Sequence, residues 1–334
     1  LAQQMRWPVA AAAAALLAFN VLFGQRIFGA KNWISIGPLS LQPSELVKIA
    51  FILAGAATLD RLFAKRNLIF TVLFSAYCVG CLALMSDFGT ALVFFVAFLC
   101  IAFLRTGDLP SIVMMTAAAG FAGGLMLHFK PYIADRFTVW RHAWEFAQST
   151  GYQQTRTMSA VASGGLFGAG PTDAWLKYVG AANTDLVFGV VSEEFGLLLA
   201  LCAVAAIILI AVFAITSAAT SRSSFYTIAS CAAAAMLTVQ VTLNTLGSVD
   251  LLPLTGVTFP FVSMGGSSML SCWSLMAFLK AADTRQNASF ALRLPKRRPK
   301  TKPEPPKAKP SNGFFDEIPD IPVDEIFGKE DKSE

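Results

Sequence analysis

Charge is scarce in this 334-residue chain: Asp, Glu, Lys and Arg make up 14% of it, against roughly a quarter in soluble globular domains. That scarcity excludes an ordinary soluble domain. Histidine is scarcer still, with only His128 and His142, which leaves a zinc site short of ligands. The six cysteines, Cys78, Cys81, Cys100, Cys202, Cys231 and Cys272, all fall inside apolar runs. There they read as small buried hydrophobes and not as a disulfide framework. The CVGC stretch at 78–81 has redox spacing, yet it lies in mid-run without a βαβ context and carries no redox reading. An initiator Met and a cleavable signal are also lacking, since Leu1 opens the chain and Arg6 leads directly into an apolar run. This start predicts further residues upstream.

What the chain has is length of apolar sequence. Hydrophobic residues are 55% of the chain, and the mean hydropathy is +0.58. They come in runs of about 17 to 24 residues, long enough to cross a hydrocarbon core as helices. Eight spans are expected, near 8–24, 46–60, 68–84, 89–104, 110–128, 194–217, 226–247 and 266–281. The expected fold is an all-α, polytopic membrane protein. Arg61, Lys65, Arg66, Arg105, Arg222 and the basic tail after Arg293 fall on one side if the spans alternate. That side is expected to be cytoplasmic, with the C-terminus on it, in a plasma membrane. The opposite side then holds segments 25–43, 85–88, 129–193 and 248–265. The formal net charge of +5 is thus a topology signal, and no nucleic-acid partner is inferred from it.

Two units are expected, a membrane domain over 1–284 and a disordered cytoplasmic tail over 285–334. The tail segment 293–309 reads RLPKRRPKTKPEPPKAK, and its prolines prevent a helix. FFDEIPDIPVDEIF follows, either as a solvated acidic end or as a linear motif for a cytoplasmic partner.

The polar residues beside the membrane carry the functional reading. In QPSELVKIAF, Glu45 and Lys48 are three apart and share a helix face. They are either an ion pair that helps to pack the bundle or part of a functional path. Asp87 suits the N-cap of the fourth span. Segment 129–193 is too long for a simple connection and gathers Lys130, Arg136, Arg141, Arg156 and Lys177. Cations crowded there suit an anionic, lipid-linked substrate such as a pyrophosphate. SGGLFGAG, 163–170, is a weak candidate for an anion cradle. Asp185, Glu193 and Glu194 are spaced so that all three could face one cavity, where an apolar wall can raise a carboxylate's pKa and make it a base. The last segment, 247–270, is broken by Pro253, Gly256, Pro260, Gly265 and Gly266, and irregular backbone at membrane depth is tolerated in a plug or a cavity wall.

These stretches also resemble one family. KNWISIGPLSLQPSELVKIA (31–50), SDFGTALVFF (86–95), GYQQTRTMSAVASGGLFGAG (151–170), NTDLVFGVVSEEFG (183–196) and LLPLTGVTFPFVSMGGSS (251–268) occur in the order found in SEDS proteins. These are the RodA and FtsW type of peptidoglycan polymerase. The family has ten spans, so the resemblance implies two more upstream. It implies a glycosyltransferase acting on lipid II at the outer face, with glycan on undecaprenyl pyrophosphate as donor. It places the general base on Asp185 and the functional Glu and Lys on Glu45 and Lys48, as the floor of a polar cavity. It makes Arg136 a candidate for the pyrophosphate, and it also matches Trp33, Gln42, Asp87, Ser263, Gly265 and Gly266; these, with Glu45, Lys48 and Glu194, are the expected substrate contacts. A class B penicillin-binding protein is the partner it implies. A divalent cation, Mg or Mn, is compatible with the pyrophosphate, although no dedicated ligand cluster is visible. Asn183, Ser86, Met264, Arg156, Thr157 and Ser192 depart from the family's usual residues and mark a divergent member. A precursor flippase and a degenerate scaffold are the competing readings. The lopsided placement of acid and base groups favours the enzyme over the flippase, and intact Asp185, Glu45 and Lys48 disfavour the scaffold.

Overall fold

The computed structural model describes residues 2–27, 29–36, 39–59, 65–129, 131–220 and 224–291. The basic and acidic tail segments, Arg61 and Arg222 lie outside them. The first helices are α1 (Ala2–Phe23), α2 (Pro43–Leu59), α3 (Lys65–Leu84), α4 (Phe88–Thr106) and α5 (Leu109–Phe129). Three short helices follow in the long segment: α6 (Pro131–Val139), α7 (Tyr152–Gly164) and α8 (Val187–Phe195). The described bundle ends with α9 (Leu197–Thr220), α10 (Ser224–Ser248) and α11 (Gly266–Ala291). Each of the eight expected spans therefore coincides with a helix.

The spans are not equal in their fitness for lipid. Met5–Phe23, Phe88–Thr106, Leu197–Ala218 and Ser224–Ser248 are each long and apolar enough to cross a membrane. Ile69–Leu84 and Leu109–Gly124 are shorter apolar stretches. α2 has 17 residues and carries Glu45 in its first turn, so protein on its flanks has to supply what lipid cannot. α1 supplies most of it, and α10 adds to it while packing also against α4 and α9. The buried face of α10 includes Ala229, Ala232, Ala233 and Ala234, small side chains that let neighbouring backbones come close. Phe51 of α2 stacks on Phe74 of α3 and meets Phe94 of α4 edge-on, with centroids 5.8 and 5.0 Å apart.

Two departures from the expected architecture matter for the site. Segment 25–43 folds into a small antiparallel sheet of β1 (Gln25–Ile27), β2 (Ala30–Ile36) and β3 (Leu39–Leu41) in the order β1-β2-β3. Its β2–β3 register pairs Ile34 with Leu41 and Ser35 with Ser40. The span expected at 194–217 begins later, at Leu197, because Gly196 at φ 92° breaks α8 from α9. A Cβ on Gly196 would stand 2.3 Å from the Leu166 carbonyl oxygen, and one on Gly168 would stand 2.4 Å from that of Glu194. The SGGLFGAG run is laced across this break: the Gly165 carbonyl accepts from the Leu197 amide, and the Glu193 carbonyl accepts from the Ala169 amide. The anion-cradle reading is corrected, because these glycines permit a close backbone crossing that caps α9.

Candidate active site

A polar cavity of about 320 Å³ opens at the end of the bundle that carries the long segment. Its wall is drawn from β2, the turn before α4, α6, the turn before α8 and the loop before α11. Trp33, Gln42, Asp87, Arg136, Asp185 and Gly265 all line it. Six of the residues marked in the sequence, spread over more than 230 positions, thus meet in one place.

Local chemistry explains how each is held. Asp87 caps α4 through the Thr90 amide, which donates to Oδ1 at 3.3 Å. Its Oδ2 accepts from Asn32 Nδ2 at 2.9 Å and from Gln42 Nε2 at 3.3 Å. The Asn32 bond reaches back to β2, which is also tied to the turn before α4 by the Lys31 amide donating to the Met85 carbonyl. Gln42 joins α2 to α11, since its amide donates to Ser267 Oγ. Arg136, on α6, donates from Nη1 to the Leu254 carbonyl at 2.6 Å, which anchors its guanidinium at the rim of the loop 251–265.

Asp185 sits in the turn that precedes α8, partly exposed toward the cavity and otherwise enclosed by protein. Burial pushes its carboxyl up from 3.8 to about 6. The Thr184 hydroxyl and the charge of Arg136 oppose the rise, and the charge of Asp87 adds to it. Such a carboxyl is ionised near neutrality yet basic enough to take a proton. Asp87, by contrast, spends both oxygens on protein donors. A divalent cation would find in this cavity two carboxylates, Asp87 with both oxygens on protein donors and Asp185 beside the Thr184 hydroxyl, too few for a dedicated oxygen site. Among the described residues there is no group of three or more His, Cys, Asp or Glu placed to hold a metal.

Asp185 and Arg136 also line a second polar cavity of about 310 Å³, with Tyr152 and Gln154. A third chamber of about 350 Å³ shares Ser86, Arg136 and Thr255 with the first. It is walled by Phe88, Leu92, Phe137, Trp140 and Leu243. A single guanidinium therefore stands where two polar chambers and one apolar chamber join.

Several expected members lie elsewhere. Glu45 and Lys48 are almost wholly buried and paired at 2.8 Å, and neither lines the cavity. They sit about one turn along from Gln42, and Gln42 makes the contact with the cavity. Glu193 does not face the cavity either. Its carboxylate accepts the Trp175 and Leu176 amides at 3.1 and 2.9 Å and so holds the 3-10 turn Leu176–Tyr178. Glu194 lines neither polar cavity, and its main-chain carbonyl accepts the Gly170 amide. Ser263 is buried against the turn of Asp185 and not against open space. Gly266 begins α11, one residue beyond the lining Gly265.

Asn32 and Asn244 are among the residues of the site that were not singled out from sequence. Asn32 is hidden in a strand that apolar periodicity does not reveal. Asn244 had a signal: Gln240, Asn244 and Ser248 recur every four residues through a span, one polar stripe on one helix face.

Comparison with known proteins bears on the whole described bundle. The cell cycle protein family FTSW_RODA_SPOVE matches residues 3–288. A probable peptidoglycan glycosyltransferase FtsW of Coxiella burnetii is 31% identical over 284 residues, covering 81% of this chain and 76% of that protein. A peptidoglycan glycosyltransferase RodA of Mycobacterium leprae is 29% identical over 323 residues, covering 83% and 69%. The crystal structure of the rod shape determining protein RodA of Thermus thermophilus superposes with a TM-score of 0.61 at 25% identity, over 85% of this chain and 79% of that one. A structure described as structural coordination of polymerization and crosslinking by a peptidoglycan synthase complex gives 0.71 at 24% identity, over 85% and 82%.

Proposed function

We propose that this chain, which belongs to the FtsW/RodA/SpoVE family of cell cycle proteins and is a multi-pass membrane peptidoglycan glycosyltransferase, builds glycan strands from lipid II with Asp185 as its general base. The observation that carries the reading is the junction of Asp185 and Arg136. A base of raised pKa and a fixed cation line the same two polar cavities, and the cation also borders an apolar chamber. That junction suits a substrate made of sugar, pyrophosphate and lipid.

In this reading Asp185 takes the proton of the acceptor 4-hydroxyl as the oxygen attacks the anomeric carbon of the donor. The new C–O bond forms with inversion while the bond to pyrophosphate breaks. The electron pair leaves on undecaprenyl pyrophosphate, whose negative charge Arg136 offsets. Asp87, locked by three donors, shapes the cavity beside them. The membrane domain over 1–284 does the chemistry at the outer face, and the tail from 285 lies in the cytoplasm. A class B penicillin-binding protein is the partner that crosslinks the product.

The test is polymerisation of labelled lipid II by the protein in complex with its transpeptidase, comparing wild type with Asp185→Asn. Long glycan from the first and none from an equally folded second is expected. Equal product from both removes Asp185 as the base.

A further inference from the structure

The turn that carries Asp185 belongs to no helix or strand, so its carbonyls need partners from elsewhere. Three consecutive ones find them on the far side of the site. The Asn183 carbonyl accepts the Met264 amide at 2.8 Å. The Thr184 carbonyl accepts from Ser263 Oγ at 2.6 Å. The Asp185 carbonyl accepts from Asn244 Nδ2 at 2.9 Å. The same Asn244 nitrogen donates to the Val257 carbonyl at 2.8 Å, which spends both amide hydrogens. Ser263 Oγ in turn accepts the Phe259 amide at 2.8 Å. Both side chains are 2% exposed. One asparagine on α10 and one serine in the last loop therefore fasten that loop and the Asp185 turn to each other.

We propose that Asn244 and Ser263 are positioning residues of the polymerase, holding the Asp185 carboxylate in the cavity against its tendency to swing toward water. The inference rests on Asp185 being the base. An ionised carboxylate loses solvation where Asp185 sits, so a free turn would relax outward and carry the charge into bulk water. Three carbonyl bonds across a buried seam remove that freedom. The seam is close-fitting on its other side as well. Gly256, at φ 71°, faces the carboxylate, and a Cβ there would stand 3.1 Å from Asp185 Oδ2. The loop thus sets the position of the turn by its bonds and leaves room for the carboxylate by its glycine. Ser263, marked in the sequence as a substrate contact, acts through the backbone of Thr184 instead.

The experiment measures lipid II polymerisation as a function of concentration and pH for Ser263→Ala, Ser263→Thr and Asn244→Ala, in the complex with the transpeptidase. Leu237→Ala on α10 serves as a packing control. Ser263→Ala and Asn244→Ala are expected to lower kcat by about 10- to 100-fold, the penalty of a small misplacement of a reacting group. KM should stay within about twofold, because no substrate contact is removed. Ser263→Thr keeps the hydroxyl and should recover most of the rate. Amide exchange of residues 185–187 should quicken in both alanine variants and not in Leu237→Ala. If folded Ser263→Ala and Asn244→Ala polymerise as wild type does while Asp185→Asn is dead, the positioning role is overturned alone. If Asp185→Asn is itself as active as wild type, the base and its clamp fall together. A loss of rate that only tracks folded protein, as in Leu237→Ala, also overturns it.

Discussion

The acid limb of the pH–rate profile is the quantity that the site's electrostatics set. With its pKa near 6, Asp185 is about nine-tenths ionised at pH 7 and about one-tenth at pH 5, so kcat/KM should fall about tenfold between them. A carboxylate at its ordinary 3.8 would lose less than about a tenth of the rate over the same interval. Neighbouring charges give the signs. Arg136 pulls the pKa down and Asp87 pushes it up, so Arg136→Gln should move the limb to higher pH and Asp87→Asn to lower pH. Stability carries the mirror image. The rise from 3.8 to about 6 is a proton held more tightly folded than unfolded. The group's contribution to stability therefore falls as pH climbs through that window and stays low above it. Its full size is about 3 kcal/mol. Asp185→Asn should accordingly melt higher than wild type at pH 7.5 and lose most of that advantage at pH 4. The assay is polymerisation of labelled lipid II in buffers of constant ionic strength from pH 5 to 8, with melting in the same detergent. A flat profile over that range, or a limb that moves in the same direction for Arg136→Gln and Asp87→Asn, would refute the reasoning.

Glu45→Gln strands the ammonium of Lys48 in the bundle and should cost about 3–5 kcal/mol; Glu45→Gln with Lys48→Met should restore most of the melting temperature, and failure to do so would show a role beyond pairing. Glu193→Gln leaves one acceptor oxygen for two amides and should cost about 1–3 kcal/mol, with activity per folded molecule unchanged in the polymerisation assay; a dead, stable variant would contradict this. In a cysteine-free background, Lys177→Cys should be labelled by a membrane-impermeant maleimide applied outside cells and Lys300→Cys should not, and the reverse pattern would invert the orientation.

The span pattern was legible because a membrane imposes one strong rule, about 20 apolar residues per helix. The breaks were legible less well, for physical reasons. Gly196 ends α8 inside a run that reads as continuous, because its effect depends on the Leu166 carbonyl crossing behind it, a contact no local pattern contains. The sheet of β1 to β3 was missed because strands of three to seven residues at a membrane surface have no long apolar alternation. Among site residues, those that reach the cavity directly, such as Asp185, Arg136 and Asp87, carry chemistry that their residue type announces. Glu45, Lys48 and Glu193 announce the same chemistry and are bonded within the protein, since a carboxylate that is paired or capping looks no different in sequence from one that is open.

On the proposed reading Asp185 is the base, and that difference sets it apart from the other acids near this site. Glu45 gives one oxygen to Lys48 at 2.8 Å, and Glu193 gives both to main-chain amides. Asp87 accepts three hydrogen bonds. Each is committed as an acceptor in the fold, Glu45 through one oxygen and Glu193 and Asp87 through both. Asp185 is held by its main chain through a carbonyl, and its carboxylate meets the neighbouring Thr184 hydroxyl and the charge of Arg136, so it keeps acceptor capacity while its position is fixed. A catalytic base needs both properties at once, and a turn outside any helix, fastened by Asn244 and Ser263, provides them where a residue within a span could not. The backbone carbonyl of a helical residue is already spent on its own helix, which leaves only the side chain to fix its place.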